Sequence, residues 1–393
     1  MDFRFTEAQE KFRQEVRSFL DRELPSDWVG YLGCTTGDHV SDVSDGWQVF
    51  KDIARKLGEK GWLSLFWPKE YGGQAWPFVD CLVFFEEVAR RGSPGYNPIA
   101  VKMLAPTLID YGTEEQKERF LKPMARGEEF WCEAFSEPGA GSDLASLQAR
   151  AVKDNDYFIL NGQKTWSTFA NYADWCCLLA RTAPDSTRSR GLSFFLVDMK
   201  TPGVTVSPIK NLAGEPSFCE IFFEDARIPA ENILGDENDG WKVAQSLLGY
   251  ERTSIEFIAM VKSVIERVAG YMAANPRLRS EHSRQLLAKL AIDTEVGRLM
   301  NYRVAWLHDK GLPADWPAAM AKLHTTELYK RAASTAMQLL GLYGQLDKKD
   351  AMAPLQGWIE QLYLVSYGGT IAAGTSEIQR NIIALRGLGL PRS

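Results

Sequence analysis

The hydrophobic period of this chain changes twice along its length, and that restricts its architecture more than any single motif. In the first third, "TEAQEKFRQEVRSFLDREL" places Phe12, Val16, Phe19 and Leu20 on one helical face behind a Thr6/Gln9 capping box. "GWQVFKDIARKLGEKGW" repeats the period with Trp47, Phe50, Ile53 and Leu57, and the Pro- and Gly-bearing "FWPKEYGGQAWP" then breaks it. Further helices are expected at 78–90, 95–111 and 114–126, the last behind a Thr113/Gln116 capping box. From about Phe130 to Ala230 the chain turns to short β-branched and aromatic runs: "YFILNGQKTWST", "DWCCLLART", "LSFFLVDM", "GVTVSPI" and "FCEIFFEDARI". Gly, Pro, Asn and Asp bound them, the pattern of antiparallel strands and turns. After "PAENILGDENDGW" the helical period returns and lasts to the end. Helices, then strands, then helices predict a segregated α+β fold rather than alternating α/β. The expected division is an N-terminal α-helical domain at 1–126, a middle antiparallel β domain at 127–235 and a C-terminal α-helical domain at 236–393.

Composition excludes several function classes. Acidic residues number 51 against 45 Lys and Arg, which argues against a nucleic-acid or anionic-membrane surface. No stretch reaches the roughly 18 apolar residues of a spanning helix, and "MDFRFTEAQEKF" does not read as a secretory signal. The six cysteines (34, 81, 132, 176, 177, 219) show no CxxC spacing and the four histidines are scattered, so a reduced, metal-free, cytoplasmic protein is expected.

Three short stretches stand out chemically. "EPGAGSD" is a Gly-rich turn, with Ser136, Ser142 and Asp143 around it, able to present backbone N–H groups to a ligand; taken alone it is an ordinary turn. "NGQKTWSTFANYADW" sets Trp166 and Thr168 on one strand face and Ser167 on the other, which by itself reads as a core tryptophan. "TIAAGTSEIQRNII" reads as a loop entering a helix, with Gly374 at the turn, Thr375 or Ser376 as cap and Ile378, Ile382 and Leu385 at helical spacing.

"SEPGAGSD", "GQKTWST", "FEDARIPAENILG" and "AGTSEIQRNII" occur in this order behind an all-helical first third. Together they closely resemble the acyl-CoA dehydrogenase family of flavoproteins, from "FTEAQEKFRQEVRSFL" to "RNIIALRGLG". The resemblance implies that family's fold, with a four-helix bundle at the C-terminus, and FAD as cofactor. It implies removal of the α-proton of an acyl-CoA thioester with hydride transfer from the β-carbon to the flavin, as in β-oxidation. Such chemistry needs donors to the flavin ring and a polarised thioester carbonyl. Carried over position by position, Phe135, Ser136, Trp166 and Thr168 would contact the flavin ring, and Ser142 its pyrophosphate or the CoA side. Thr375 and Glu377 would close over the diphosphate, and Gln338 and Gly341 of "MQLLGLYG" would reach a neighbouring subunit's flavin. One departure is plain: "RLRSEHSRQ" replaces the family's Arg-x-x-Phe-Gly near 277–285, so the expected oligomer is either a homotetramer or a heterotetramer with a homologous chain. The resemblance names an electron-transfer flavoprotein as acceptor.

Many family members carry the catalytic glutamate just before the Gly of the C-terminal segment, where this chain has Ala373. Isovaleryl- and long-chain-type members place it instead on an earlier helix beside an arginine, and Glu251–Arg252 of "LLGYERTSIEF" falls there. The resemblance thus makes Glu251 the base and Arg252 a substrate contact, with Ala373 lining the substrate. A glutamate enclosed in an apolar acyl pocket is raised by desolvation toward a pKa useful to a base. Read alone, the dipeptide is a solvated helix pair, and Glu256 is the competing carboxylate. Gly368, Gly369, Ala372 and Ala373 are small, either leaving room for a branched, cyclic or aromatic acyl group or merely accommodating a helix-borne glutamate. The general look resembles bacterial members acting on dicarboxylyl-, cyclic- or steroid-side-chain CoA esters. A same-fold oxidase or monooxygenase, and a flavin-bearing or non-catalytic subunit of a heteromer, are the alternatives.

Overall fold

A computed structural model describes residues 5–26, 28, 46–183, 185–186, 188–250 and 253–391. The N-terminal helices are α1 (Glu7–Glu23), α2 (Gly46–Glu59), α3 (Phe78–Arg90), α4 (Ala105–Tyr111) and α5 (Glu114–Ala125). Both expected capping boxes form, at Thr6/Gln9 and Thr113/Gln116. The apolar face of α1 seats Phe12 and Phe19 edge-on to Trp62, at 5.6 and 5.3 Å between ring centroids. Its Arg13 is buried against Glu86 and Glu87 of α3 at 3.1 and 2.9 Å. The helix expected over 95–111 is not one regular element: Ile99–Leu104 is a π-helical turn feeding α4. Pro106 brings no N–H to this stretch, so the regular ladder is interrupted there.

The seven strands are β1 (Trp131–Ala134), β2 (Arg150–Asp154), β3 (Tyr157–Thr168), β4 (Trp175–Arg181), β5 (Leu192–Asp198), β6 (Val204–Ile209) and β7 (Phe218–Pro229). They form one sheet in the order β1-β4-β2-β3-β7-β6, with β5 also on β4. Pairs β2–β3, β3–β7, β6–β7 and β4–β5 are antiparallel, as expected, but β1 runs parallel to β4, with Trp131 opposite Trp175. Alternation reports which side chains are buried, not which strand lies alongside. The β2–β3 hairpin supplies the long crossover that a parallel pair requires.

The C-terminal part holds α6 (Gly240–Tyr250), α7 (Ile255–Ala274), α8 (Glu281–Asp309), α9 (Asp315–Leu340), α10 (Trp358–Gly369) and α11 (Ser376–Ile382). Helices α7 to α10 pack as the expected bundle, with α9 touching the other three. Gly240 lets α6 start directly against the β5 backbone, because a Cβ there would lie 2.4 Å from Phe194 N. The bundle is locked to the N-terminal helices by Asp309, which accepts from the N–H groups of Phe78 and Val79 at 2.7 and 2.9 Å. It thus caps α3, whose own N-cap residue Pro77 offers no side-chain acceptor. Burial acts to raise the Asp309 pKa, but His308 and the two N–H groups outweigh it and hold the carboxyl below its ordinary value. That stabilisation is present above the unfolded-state pKa and is lost as pH falls through the lower folded one. Asp309→Ala is expected to cost about 1–2 kcal/mol in urea unfolding at neutral pH, with the gap to the native protein closing at strongly acid pH.

Candidate active site

Lys164, on β3, is fully buried and organises one wall of the site. Its ammonium donates to Phe135 O at 3.0 Å and to Glu137 Oε1 at 2.8 Å. The same carboxylate accepts from Gln148 N and Ala149 N at 2.6 and 2.9 Å, while Ser136 O accepts from Thr165 N at 2.9 Å. These bonds hold the Gly-rich turn against β3, with Phe135 tied to Lys164 and Ser136 to Thr165, the residue before Trp166. Burial lowers the Lys164 pKa and the Glu137 charge opposes it. Neither Lys164 nor Glu137 was singled out in the sequence. The signal that finds them is a Lys and a Glu between apolar positions of a strand and a turn, where only a mutual pair can be buried.

A bulge between Lys164 and Ser167 re-aims the strand. Trp166 takes φ +63° there, a strained value for a bulky residue, and its indole is 59% exposed rather than on a core face. Ser167 is buried and Thr168 half-buried, the alternation expected. The Ser136 and Thr168 side-chain hydroxyls have no hydrogen-bond partner among the described residues. Beneath the turn is a recess of about 420 Å³, lined in part by Glu137, Gly139, Ala140, Gln148 and Gly162. At Gly139 and Gly141 a Cβ would meet nothing within 4 Å, so packing inside the chain does not require glycine at either. Ser142 is exposed at the end of the turn. An exposed flat indole, two hydroxyls without a partner among the described residues and an uncrowded glycine turn fit the ring and phosphates of a flavin nucleotide.

A second wall forms around the middle of α9. Thr375 is the cap of α11, accepting from Ile378 N at 3.3 Å, and Ser376 Oγ donates to Glu327 of α9 at 2.7 Å. Lys322 Nζ donates to Gly369 O and Gly374 O at 3.1 and 2.8 Å. The start of α7 meets the same turns: Ser254 Oγ lies 2.8 Å from Thr325 Oγ1, and Phe257 stacks edge-on to Tyr329 at 5.4 Å. Gly369 is small because Phe257 fills its place; a Cβ would lie 2.8 Å from the ring. Ala373 is exposed with φ +53°. Glu377 is exposed, and a hydrogen bond from its own backbone N–H, then one from the Thr375 side chain, lower its pKa.

Glu251 and Arg252 lie outside the described residues. The residues on either side of them are pinned. Tyr250 Oη donates to Asp110 Oδ2 at 2.8 Å, and burial, then Asp110, raises its pKa well above the usual tyrosine value. Lys102, buried in the π-turn, donates to Thr253 O at 3.0 Å and pairs with Glu256 at 2.8 Å, while Ser254 N donates to Asn301 at 2.7 Å. Lys102 is a further residue that sequence reasoning missed; no local pattern announces that a lysine on one helix will meet a carboxylate on another. Gln338 and Gly341 are exposed at the far end of α9, roughly 16 Å along the helix from Glu327, and are not brought to either wall. In the departing segment, Ser280 caps α8 with Ser283 and Arg279 Nε donates to Met272 O at 2.9 Å, leaving Arg277, His282 and Arg284 exposed.

Helical domains flanking a β domain with a flavin-compatible rim define a flavin-dependent oxidoreductase. Family models agree along the chain: the acyl-CoA dehydrogenase N-terminal domain at 6–128, middle domain at 132–226 and C-terminal domain at 238–388. This chain belongs to the acyl-CoA dehydrogenase family, whose members depend on FAD. Acyl-CoA dehydrogenase FadE26 of Mycobacterium tuberculosis is 34% identical over 406 residues, covering 100% of both chains. The solved "Tcur3481-Tcur3483 steroid ACAD" superposes with TM-score 0.90 at 32% identity and 100% coverage of each chain. The ChsE4–ChsE5 complex from Mycobacterium tuberculosis gives TM-score 0.89 at 33% identity, again with 100% coverage of each. Among the described residues no helix is long and apolar enough to cross a membrane.

Proposed function

We propose that this chain desaturates an acyl-CoA thioester between its α and β carbons, with Glu251 as the base. The observation that carries this reading is the convergence on α9. The loop holding Ala373, where a carboxylate would otherwise stand, and the residues that follow Glu251–Arg252 are fastened to the same turns. Bound FAD supplies the hydride acceptor. Trp166, Phe135, Ser136 and Thr168 orient the flavin ring, and Ser142, Thr375 and Glu377 bind toward its phosphates or CoA. Arg252 holds the CoA side, and Gln338 with Gly341 reach a neighbouring protomer's cofactor.

For the substrate, the reading is a bulky cyclic or steroid-derived CoA ester. Similarity to a steroid acyl-CoA dehydrogenase and the small residues Gly368, Ala372 and Ala373 support it. A panel of acyl-CoAs mixed anaerobically with the FAD-loaded protein tests both parts: flavin bleaching by ring-bearing esters and not by straight chains is the expected outcome. Prompt reoxidation of the reduced flavin by air would instead favour an oxidase. An electron-transfer flavoprotein is the expected acceptor in the complete cycle.

Glu256 is the competing base, but it is occupied by Lys102. Glu256→Gln is expected to leave flavin reduction within about threefold of native while costing about 1–2 kcal/mol of stability. Loss of reduction in that variant, with Glu251→Gln unaffected, would move the assignment to Glu256.

A heteromeric assembly is favoured by two observations. Both solved relatives above are complexes of two differently named chains, and 277–285 lacks the family's inter-subunit motif. Leu342, Tyr343 and Met352 are exposed apolar residues near Gln338 in the chain, as an oligomer face requires. Purification of this chain alone with less than one FAD per protomer, restored by a co-produced homologous chain, would support it; a full complement in the homomer would not.

A further inference from the structure

Away from both walls of the site, a recess of about 290 Å³ opens where Trp28, beyond α1, and the end of α3 meet α7. It is lined by Trp28, Arg90, Arg91, Ser263, Glu266 and Arg267. Along α7, Arg267 is roughly 15 Å from Phe257, so the recess is separate from the catalytic end of that helix. Two of its arginines are already matched: Arg90 pairs with Glu266 at 2.6 Å, and Arg91 with Asp21. Arg267 has no carboxylate partner among the described residues. Its guanidinium instead lies over Trp358, with Cζ 4.4 Å from the ring centroid. Burial and then the Arg91 charge hold its pKa below the ordinary arginine value, so the group is half-buried beside a like charge.

That arrangement is incomplete in a specific way. Stacking on indole occupies the face of the guanidinium and leaves its in-plane N–H donors available. Such planar forks match the oxygens of phosphate and carboxylate. Among the described residues Glu266 and Asp21 each engage one arginine, so the recess carries one positive charge more than those carboxylates balance, that of Arg267, with Arg91 as its neighbouring cation. Its volume admits a small anion or a phosphomonoester of a few carbons, and is below the usual size of sites for drug-sized ligands.

We propose that this recess binds a phosphate group, free or as a small phosphomonoester, held between Arg267 and Arg91. The test uses FAD-loaded protein, so that the flavin site does not take up the added ligand. Inorganic phosphate, glycerol phosphate and acetate are titrated calorimetrically at ionic strength held constant with chloride. Saturable binding of inorganic phosphate, the ester, or both is expected, stronger than acetate and weakened at least roughly tenfold by Arg267→Gln. Flavin reduction by an acyl-CoA is expected to stay at the native rate in that variant. Arg91→Gln provides a second variant should Arg267→Gln fold poorly. Heats no greater than the chloride control, acetate binding as tight as phosphate, or phosphate affinity unchanged in both variants would each overturn the assignment.

Discussion

Glu251→Gln is expected to retain its flavin but to reduce it roughly 10²–10⁴-fold more slowly with the acyl-CoA that bleaches the native protein, the usual contribution of a positioned acid–base group. Glutamine keeps the shape and hydrogen-bonding reach of glutamate but cannot take the α-proton. Ala373 offers no substitute, and Glu256 is held by Lys102. The effect belongs in the reductive step, with substrate binding largely preserved. Anaerobic stopped-flow spectroscopy of the flavin separates the two. A variant that bleaches as fast as native protein would show that the proton leaves by another group.

Glu137→Ala is expected to have the largest effect on stability, about 3–5 kcal/mol, because it strands a buried charge. The Lys164 ammonium is fully buried and keeps only the Phe135 carbonyl, while Gln148 N and Ala149 N lose their acceptor. The same bonds hold Phe135 and the Gly-rich turn against β3, so the bound flavin per protomer should fall with the urea midpoint. Removing both charges, as Glu137→Leu with Lys164→Met, should recover much of the stability, since the penalty lies in the unpaired charge. Recovery of FAD should lag, because the turn is then packed but no longer tied. If Glu137→Ala matches the native midpoint and flavin content, the pair is not what holds the turn.

Much of the architecture was legible in sequence because it rests on local terms. Period, capping and turn residues each act within a few positions. Thr6, Thr113 and Thr375 accordingly cap helices where their neighbours say they should. Pairing partners are non-local. The parallel β1–β4 contact and the Asp309 cap on α3 join residues far apart in the chain, and no local window carries them. The π-turn at Ile99–Leu104 had a local warning in Pro106, yet its consequence, a lysine turned inward to Thr253 and Glu256, depends on what packs opposite.

The site divides in the same way. Four short motifs in order identified a flavoprotein family and the positions to inspect, because each motif is a contiguous stretch that can be read without knowing what packs against it. Ala373 in place of a carboxylate was likewise visible in one dimension. Tertiary structure decided which faces those residues present. It turned Trp166 outward on a bulge, filled the space at Gly369 with Phe257, and placed the start of α7 and the Ala373 loop on the same turns of α9. It also paired Lys164 with Glu137 and left Arg267 over Trp358 without a carboxylate among the described residues. Residue type sets what a group can do; burial and neighbours, which arise only when distant segments pack, decide whether it holds the frame or waits for a ligand.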